Sequence, residues 1–518
     1  MERTSSEVDV MMWRLARGGA EAVSEHLAVV LRQHSAANRY STVSKLFCVT
    51  DTQVAGRLMA RLIVLAAAGS PPPSCPSPPS HAHKSSSALA WLRLPPRSTS
   101  LRAVASRAAA HLHRCADGIV GSRQRGDGAE KLLASVLPME PQLVRRRGPW
   151  FEGWFLRLVD HDAALTVSIV FGSLRRRHRP SSISADPFDE HLIVLTYNDG
   201  RDGSERMSRV LLDGSTVRLT GGNSASSDLG AAPPGGPRLS WWSDAHGGMR
   251  VDGDAAVVEL ALPRGVRIVA NISASRVPWD AKRPNEAGPE GWLSRTSLLP
   301  CHYFVHSFGS RASYALWRGG AGRPALAGSA LTHVERNWGA SFPTGWVWAQ
   351  AAARNGSAYL VLTGGRFVIG PLTTDSYVIG LRGNFGGSVG GGGDGGEEGV
   401  DRELSWDFRT TDLDRVVDSR RPCEGVLSIN ASSRNGRRWL QLELRAHPRS
   451  FGERIPVPTN EEGFSDQPGC RESQTASLSI SAWEKRRSGG RRDALEVVQR
   501  LRTVVPLAVL EFGGNFQC

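Results

Sequence analysis

Two short stretches of this chain gather the residue types that acid catalysis needs. The first, Trp150-Phe151-Glu152-Gly153-Trp154-Phe155, sets one carboxyl among aromatic rings. The second runs from Glu335 to Gln350. It holds that acid, the amides of Asn337 and Gln350, the hydroxyl of Ser341 and the indoles of Trp338, Trp346 and Trp348. A carboxyl walled in by aromatic groups keeps its proton, because burial disfavours the anion. Indole faces stabilise a developing positive charge by roughly 0.5–2 kcal/mol each, and exclusion of water protects a cation from capture. Glu335 and Glu152 are therefore the candidate acids. Glu335 is preferred because more groups able to orient it lie nearby. Plainer roles exist for each residue. Glu152 could bridge to Arg157 or cap backbone amides, and Glu335 could pair with Arg336 or Arg311. Asn337 and Gln350 could fix a loop, and the tryptophans could be core.

Strand geometry sharpens the choice. In an extended Gly345–Gln350 segment, Trp346, Trp348 and Gln350 share a face. Arg336 would point away from Glu335. An arginine on Glu335's own face would lower its pKa and make it a poor acid. A third cluster, Leu299 to Ser307, contains His302, Tyr303 and His306. Two histidines at i, i+4 on a strand do not form a metal site without further ligands, and no metal is expected.

The elements that must position these groups read as β-strands from Trp150 onward. In Leu165–Phe171 the odd positions are all apolar, the period-two signature of a half-buried strand. The segments 191–197, 266–273, 359–362, 377–381 and 440–445 read alike. Asp213-Gly214, Asn355-Gly356 and Asn435-Gly436 look like hairpin turns. No amphipathic helix of convincing length interrupts them. The expected fold class is thus all-β, an antiparallel barrel or sandwich, with long loops at 221–236 and 386–399. Of 15 tryptophans, only Trp13 and Trp91 lie outside this region.

The chain has 518 residues, a net charge of +13 and 40% hydrophobic content. No apolar run reaches the roughly 18 residues a membrane-spanning helix needs. The charge is carried by arginine, with only five lysines, and no motif points to nucleic acid. The seven cysteines contain no CxxC pair; Cys423 and Cys470 could form a disulfide.

These motifs, in their order along residues 147 to 514, resemble the tocopherol-cyclase-like family. Phe151-Glu152-Gly153-Trp154-Phe155 is similar to the family's opening motif. Glu335 to Pro343, with Trp346-Val347-Trp348-Ala349-Gln350, is similar to its central signature. Val457 to Glu472, Ser477 to Trp483 and Leu510 to Gly514 resemble its later strands. The chain has Phe155 where the family tends to have Tyr, Arg336 where it has Lys, and Tyr303 where a His is common. The resemblance implies a lipocalin-like fold of two β-lobes, at about 147–330 and 331–518, with a ligand cleft inside or between them. It implies closure of a prenylated benzoquinol to a chromanol: the side-chain alkene is protonated and the phenol oxygen attacks the cation. No cofactor is implied. Trp154, Tyr303, Asn337, Trp338, Ser341, Trp346, Trp348 and Gln350 become expected substrate contacts. A non-catalytic lipocalin-like binder of a lipid or isoprenoid, or a carotenoid-hydratase-like enzyme, would use the same kind of cavity. A prenylquinol would also draw the protein to a membrane or lipid-droplet surface.

Residues 1–146 read as an extension. No Asp or Glu lies between Asp51 and Asp117, while eight Arg and Lys do. Candidate helices at 8–33 and 101–115 flank a Pro/Ser stretch at 70–80. The segment 59–70 is similar to a secretory signal core. Such a combination is expected of bipartite targeting to a plastid, with plastoglobule association, against a cytoplasmic or secretory alternative.

Overall fold

The computed structural model describes residues 137–142, 149–176, 188–200, 205–221, 237–295, 299–369, 372–385, 402–459, 461–487 and 495–518. The expected targeting extension up to residue 136, and nearly all of the two glycine-rich loops, lie outside them. The described residues form two antiparallel sheets, each rolled into a nearly closed barrel.

The first lobe contains β1 (Trp150–Asp160), β2 (Leu165–Arg175), β3 (Glu190–Asn198), β4 (Arg206–Asp213), β5 (Val217–Gly221), β6 (Arg238–Ser243), β7 (Gly247–Asp252), β8 (Ala255–Leu262), β9 (Val266–Arg276), β10 (Cys301–Trp317) and β11 (Leu326–Gly339). The second contains β12 (Gly345–Ala352), β13 (Ala358–Ile369), β14 (Leu372–Phe385), β15 (Arg402–Arg409), β16 (Arg415–Arg421), β17 (Val426–Ser432), β18 (Arg438–Arg445), β19 (Ile455–Thr459), β20 (Gly463–Arg487) and β21 (Leu495–Gly514).

The two sheets share one plan. In each, the first strand pairs with the last, β1 with β11 and β12 with β21. The two ends of each sheet are consecutive strands, β4 and β5 in one and β15 and β16 in the other. A short link across the seam therefore brings the edges together, which limits the open edge that a flat sheet would expose.

Strand alternation builds the cores. In β8, Ala256, Val258, Leu260 and Leu262 are buried, alternating with less buried positions. The inward faces of the first lobe give one large core around Trp154, Ile169 and Trp241. Those of the second surround Leu362, Phe408 and Leu442. Strand β2 differs from the half-buried expectation, because nearly all of it is buried. Its second face, with Val170 and Gly172, meets the other lobe, where Phe464 leaves no room for a Cβ on Gly172. The alternation in β2 marks its barrel face, and the other face is covered by the second lobe where solvent was expected.

Four further expectations are revised. Residues 137–142 belong with the first lobe rather than an extension: Met139 is buried in its core, and its carbonyl accepts a hydrogen bond from Trp154 Nε1 at 3.1 Å. The lobe boundary falls at 340–344, since β11 pairs with both β1 and β10 and so carries the first lobe past residue 331. Asp213-Gly214 closes no hairpin, because β4 pairs with β3 and stands at the opposite end of the sheet from β5. Asn355-Gly356 and Asn435-Gly436 do join paired strands, each Gly at positive φ. Finally, Cys423 is bonded to Cys518, and Cys470 is a buried free thiol. Cys470 packs beside Trp346 on the face of β20 turned to the first lobe.

Candidate active site

The closing strand pairs of the two lobes face each other, and they carry the chemistry-bearing motifs. From the first lobe, β1 presents Phe155 and Arg157, and β11 presents His333, Glu335 and Asn337. From the second, β12 presents Trp346, Trp348 and Gln350, and β21 presents Glu511. Contacts across the gap fix this arrangement. Trp348 Nε1 donates to Glu335 Oε2 at 3.2 Å, and the Phe155 and Trp348 rings meet edge to face at 4.9 Å. Arg157 Nη1 donates to Gln350 Oε1 at 2.7 Å.

Between them lies a cleft of about 110 Å³, into which Phe155, Glu335, Trp346, Trp348, Glu472 and Glu511 open. Phe342 and Trp346, with ring centroids 4.9 Å apart, extend the aromatic wall. Gly513 makes this packing feasible, since a Cβ there would lie 1.9 Å from the Trp346 indole.

Glu335 is buried, and among the described residues no arginine reaches it. Three donors converge on its Oε2: Tyr303 Oη, His333 Nε2 at 2.7 Å and Trp348 Nε1. All three bonds fall on Oε2, and Glu335 lines the cleft. His333 Nδ1 is buried with no hydrogen-bond partner, which places the ring proton on Nε2. Burial first, then the Glu335 charge, pushes the Tyr303 hydroxyl well above its ordinary pKa, so Tyr303 is a hydrogen-bond donor and not an acid.

Two acids that the sequence reading assigned no role complete the site. Glu472 on β20 and Glu511 on β21 are directly paired across the ladder. Burial, reinforced by the Glu472 charge, pushes the Glu511 carboxyl up to about 8; a hydrogen bond from Trp346 Nε1 acts in the opposite sense. Burial likewise raises Glu472, whose Oε1 accepts from Thr196 Oγ1 at 3.0 Å. The cleft thus holds Glu511, kept protonated by burial and by the neighbouring Glu472 charge, beside Glu335, which accepts three hydrogen bonds.

Glu152, the second candidate acid, borders the cleft but is committed elsewhere. Arg336, fully buried, donates to its Oε2 at 2.7 Å, and the Gln142 amide and Trp150 indole also reach the carboxyl. The same guanidinium binds the Pro138 and Glu140 carbonyls and lies over the Trp154 and Trp338 rings. Both of its oxygens are thereby occupied by donors, and neither is left for a ligand. The bridge is to Arg336 and not to Arg157, because β-alternation turns Arg336 into the first barrel beside Glu152.

The remaining expected contacts separate. Trp154 and Asn337 border the cleft with Trp346 and Trp348. Tyr303 reaches it through Glu335. Trp338 packs with the first core and stacks on His302, which bonds Glu290. Ser341 lies in the link after β11, its amide donating to the Pro300 carbonyl. Gln350 serves Arg157. These three stand off the cleft walls.

Over 244 residues the chain is 24% identical to a probable tocopherol cyclase, chloroplastic, from Oryza sativa subsp. japonica. This chain is similar to a probable tocopherol cyclase. The match covers 46% of this chain and 44% of the rice protein, so it spans less than half of that tocopherol cyclase's length. No protein-family model matches the chain. Among solved structures, CghA with Sch210972 is similar over 71% of this chain and 89% of its own, at 11% identity and a TM-score of 0.41. Kievitone hydratase from Nectria haematococca is similar over 73% and 91%, at 9% identity and a TM-score of 0.40. The tocopherol-cyclase resemblance read from the motifs is therefore matched by a curated relative. Glu472 and Glu511 lie within segments that carried the resemblance. Glu511 has a signal of its own, an acid inside the otherwise apolar Val509-Leu510-Glu511-Phe512, whereas Glu472 sits among Arg471, Ser473 and Gln474 and has none.

Proposed function

We propose that this protein closes the chromanol ring of a prenylated benzoquinol by acid-catalysed addition of the phenol to the side-chain alkene. One observation carries the reading: Glu335, Glu472 and Glu511 share a single aromatic cleft between the lobes. Alkene protonation needs a carboxylic acid that is still protonated near neutral pH, and burial supplies it. The tertiary cation that follows needs π faces and little water, which Trp346, Trp348 and Phe155 supply. A carrier would have no need of buried carboxyls, whose desolvation is costly. At about 110 Å³ the cleft is smaller than the roughly 300–1,000 Å³ that encloses a drug-sized ligand. The reading therefore requires the prenyl tail to extend out of the cleft, or the β19 wall to move.

The test is incubation of the full-length protein with a prenylated benzoquinol. Chromanol, an isomer of the substrate, is the expected product. A tertiary alcohol would identify a hydratase instead, and saturable binding with no product would identify a carrier.

We also place the protein in a plastid, at a membrane or plastoglobule surface where the substrate's tail partitions. The acid-free basic span supports this, as does the chloroplastic relative. A fluorescent reporter fused to residues 1–146 should co-localise with plastids. Diffuse cytosolic fluorescence would remove the assignment.

A further inference from the structure

The cleft contains more acids than one protonation requires, and their surroundings differ. Glu511 stands directly across the β12–β21 ladder from Trp348. Trp348, in turn, donates to Glu335. One indole is therefore flanked by two carboxyls, one from each lobe. Residues opposite each other on an antiparallel ladder have Cβ atoms about 4.5–5.5 Å apart, so a single small ligand on Trp348 can touch both acids. The two are not equivalent. Glu335 has three donors fixed on Oε2, the dress of a hydrogen-bond acceptor. Glu511 receives one indole N–H and has a second carboxyl, Glu472, as its ladder partner. Two adjacent carboxyls in an apolar wall cannot both ionise without strong repulsion.

We propose that Glu511 delivers the proton to the substrate alkene, and that Glu335, held by Tyr303, His333 and Trp348, receives the phenol proton in the same turnover. This rests on the cyclase reading above. The Glu511 O–H bond breaks as the alkene π pair forms a C–H bond at the less substituted carbon, leaving the charge on the tertiary carbon. A phenol oxygen lone pair then forms the C–O bond, and the O–H proton passes to Glu335 Oε1. Substrate and product are isomers, so no oxidant or reductant takes part. After release, Glu335 loses a proton to water and Glu511 regains one. Trp348 lies between the two acids, under the carbon that carries the charge.

The groups acting on Glu511 are Glu472 and Cys470 from β20, Trp346 from β12, Glu335 from β11 and, beyond it, Tyr303 from β10. Arg157 from β1 acts on Glu472. Burial and Glu472 both keep Glu511 protonated to about pH 8. A donor must be protonated to act, so wild-type kcat/KM should fall as pH rises through about 8.

Three readouts on the full-length protein test the assignment. First, Glu511→Gln, which can still accept from Trp346, should lower kcat roughly 10²–10⁴-fold, with KM and melting temperature little changed. Glu511→Asp should restore part of the rate. Second, Glu472→Gln removes the neighbouring negative charge and should move the alkaline limb to lower pH. Third, infrared spectroscopy at pH 7 should show a protonated carboxyl stretch that Glu511→Gln removes. This last measurement needs no turnover. If it finds no such band, Glu511 is not the donor, whether or not the protein is a cyclase. A wild-type protein that forms chromanol while Glu511→Gln does so at a near-normal rate also overturns the assignment and leaves the cyclase reading intact. A protein showing the band but converting no prenylated quinol overturns the cyclase reading, and the assignment with it.

Discussion

Replacing Arg157 by alanine should destabilise the folded protein by about 3–5 kcal/mol, the usual cost of removing one member of a buried charged network. Arg157 is fully buried, midway along β1, and reaches across to the second lobe. Its Nε donates to Gln474 Oε1 at 3.0 Å, Nη1 to Gln350 Oε1 and Nη2 to the Leu507 carbonyl at 2.6 Å. Burial lowers its pKa to about 9, and the charges of Glu472 and Glu205 oppose that fall. It therefore stays charged at neutral pH. Apolar clusters lie around this polar centre, one with Leu192, Trp346 and Val457 and the other with Phe308, Tyr359 and Val361. Alanine would remove the donor from four acceptors, the Gln474 carbonyl at 3.3 Å among them, inside a buried interface, each worth roughly 1–3 kcal/mol. Arg157→Lys keeps the charge but lacks the planar fork, so it should recover only part of the loss. The check is denaturant unfolding. An Arg157→Ala protein with the wild-type midpoint would show that the lobes do not depend on this bridge.

The same residue shows where sequence reasoning stopped. Period two made β1 a strand and gave Arg157 a side, but not a partner. The partners, Gln350 and Gln474, lie 193 and 317 residues away. Local pattern carries the strand class well, because alternation follows from backbone geometry at every residue. It reads β2 and β3 correctly as strands but misses that both their faces are buried, because packing of the second face against the other lobe leaves no local mark. The paired closure of each lobe, first strand to last, is likewise a long-range fact with no local mark.

Site residues divide along a similar line. The placement of Glu335, Trp346 and Trp348 on one cleft is legible because amide, acid and indole side chains crowd one short segment. His333 was missed although it lies two residues from Glu335, on the same strand face. Alternation along β11 puts His333 and Glu335 on one face, a relation that the motif from Glu335 onward does not contain. Glu472 and Glu511 come from strands far apart in sequence, and only the β20–β21 ladder sets them side by side. Ser341 and Trp338 were drawn in by proximity along the chain. One falls in the link after β11, and the other turns into the first core with Arg336. Glu152 was read as an acid among aromatics. What decides its role is Arg336, three-dimensionally adjacent through the β1–β11 pair.

Glu335→Gln should reduce turnover roughly 10²–10⁴-fold, and the shape of its pH profile should tell which role the residue plays. Glutamine keeps the volume. Its carbonyl oxygen can take the Oε2 position, where Tyr303, His333 and Trp348 all donate. Its amide NH2 is then left in the Oε1 position, where it cannot take up a phenol proton. The variant should fold normally, so a rate loss can be read as chemistry. A cyclase using one acid and one base gives a bell-shaped profile whose two limbs belong to the coupled cluster as a whole. If Glu335 is the base, it must be ionised to work. Its replacement then removes the acidic limb and keeps the fall above pH of about 8 that Glu511 produces. If Glu335 were the proton donor, the opposite limb would go. The measurement is kcat/KM against pH for wild type, Glu335→Gln and Glu511→Gln with one prenylated quinol. Near-normal cyclisation by Glu335→Gln would exclude it from either proton transfer. The Tyr303–Glu335–His333 cluster would then be a hydrogen-bonded strut, holding β10, β11 and Trp348 in place along the cleft wall.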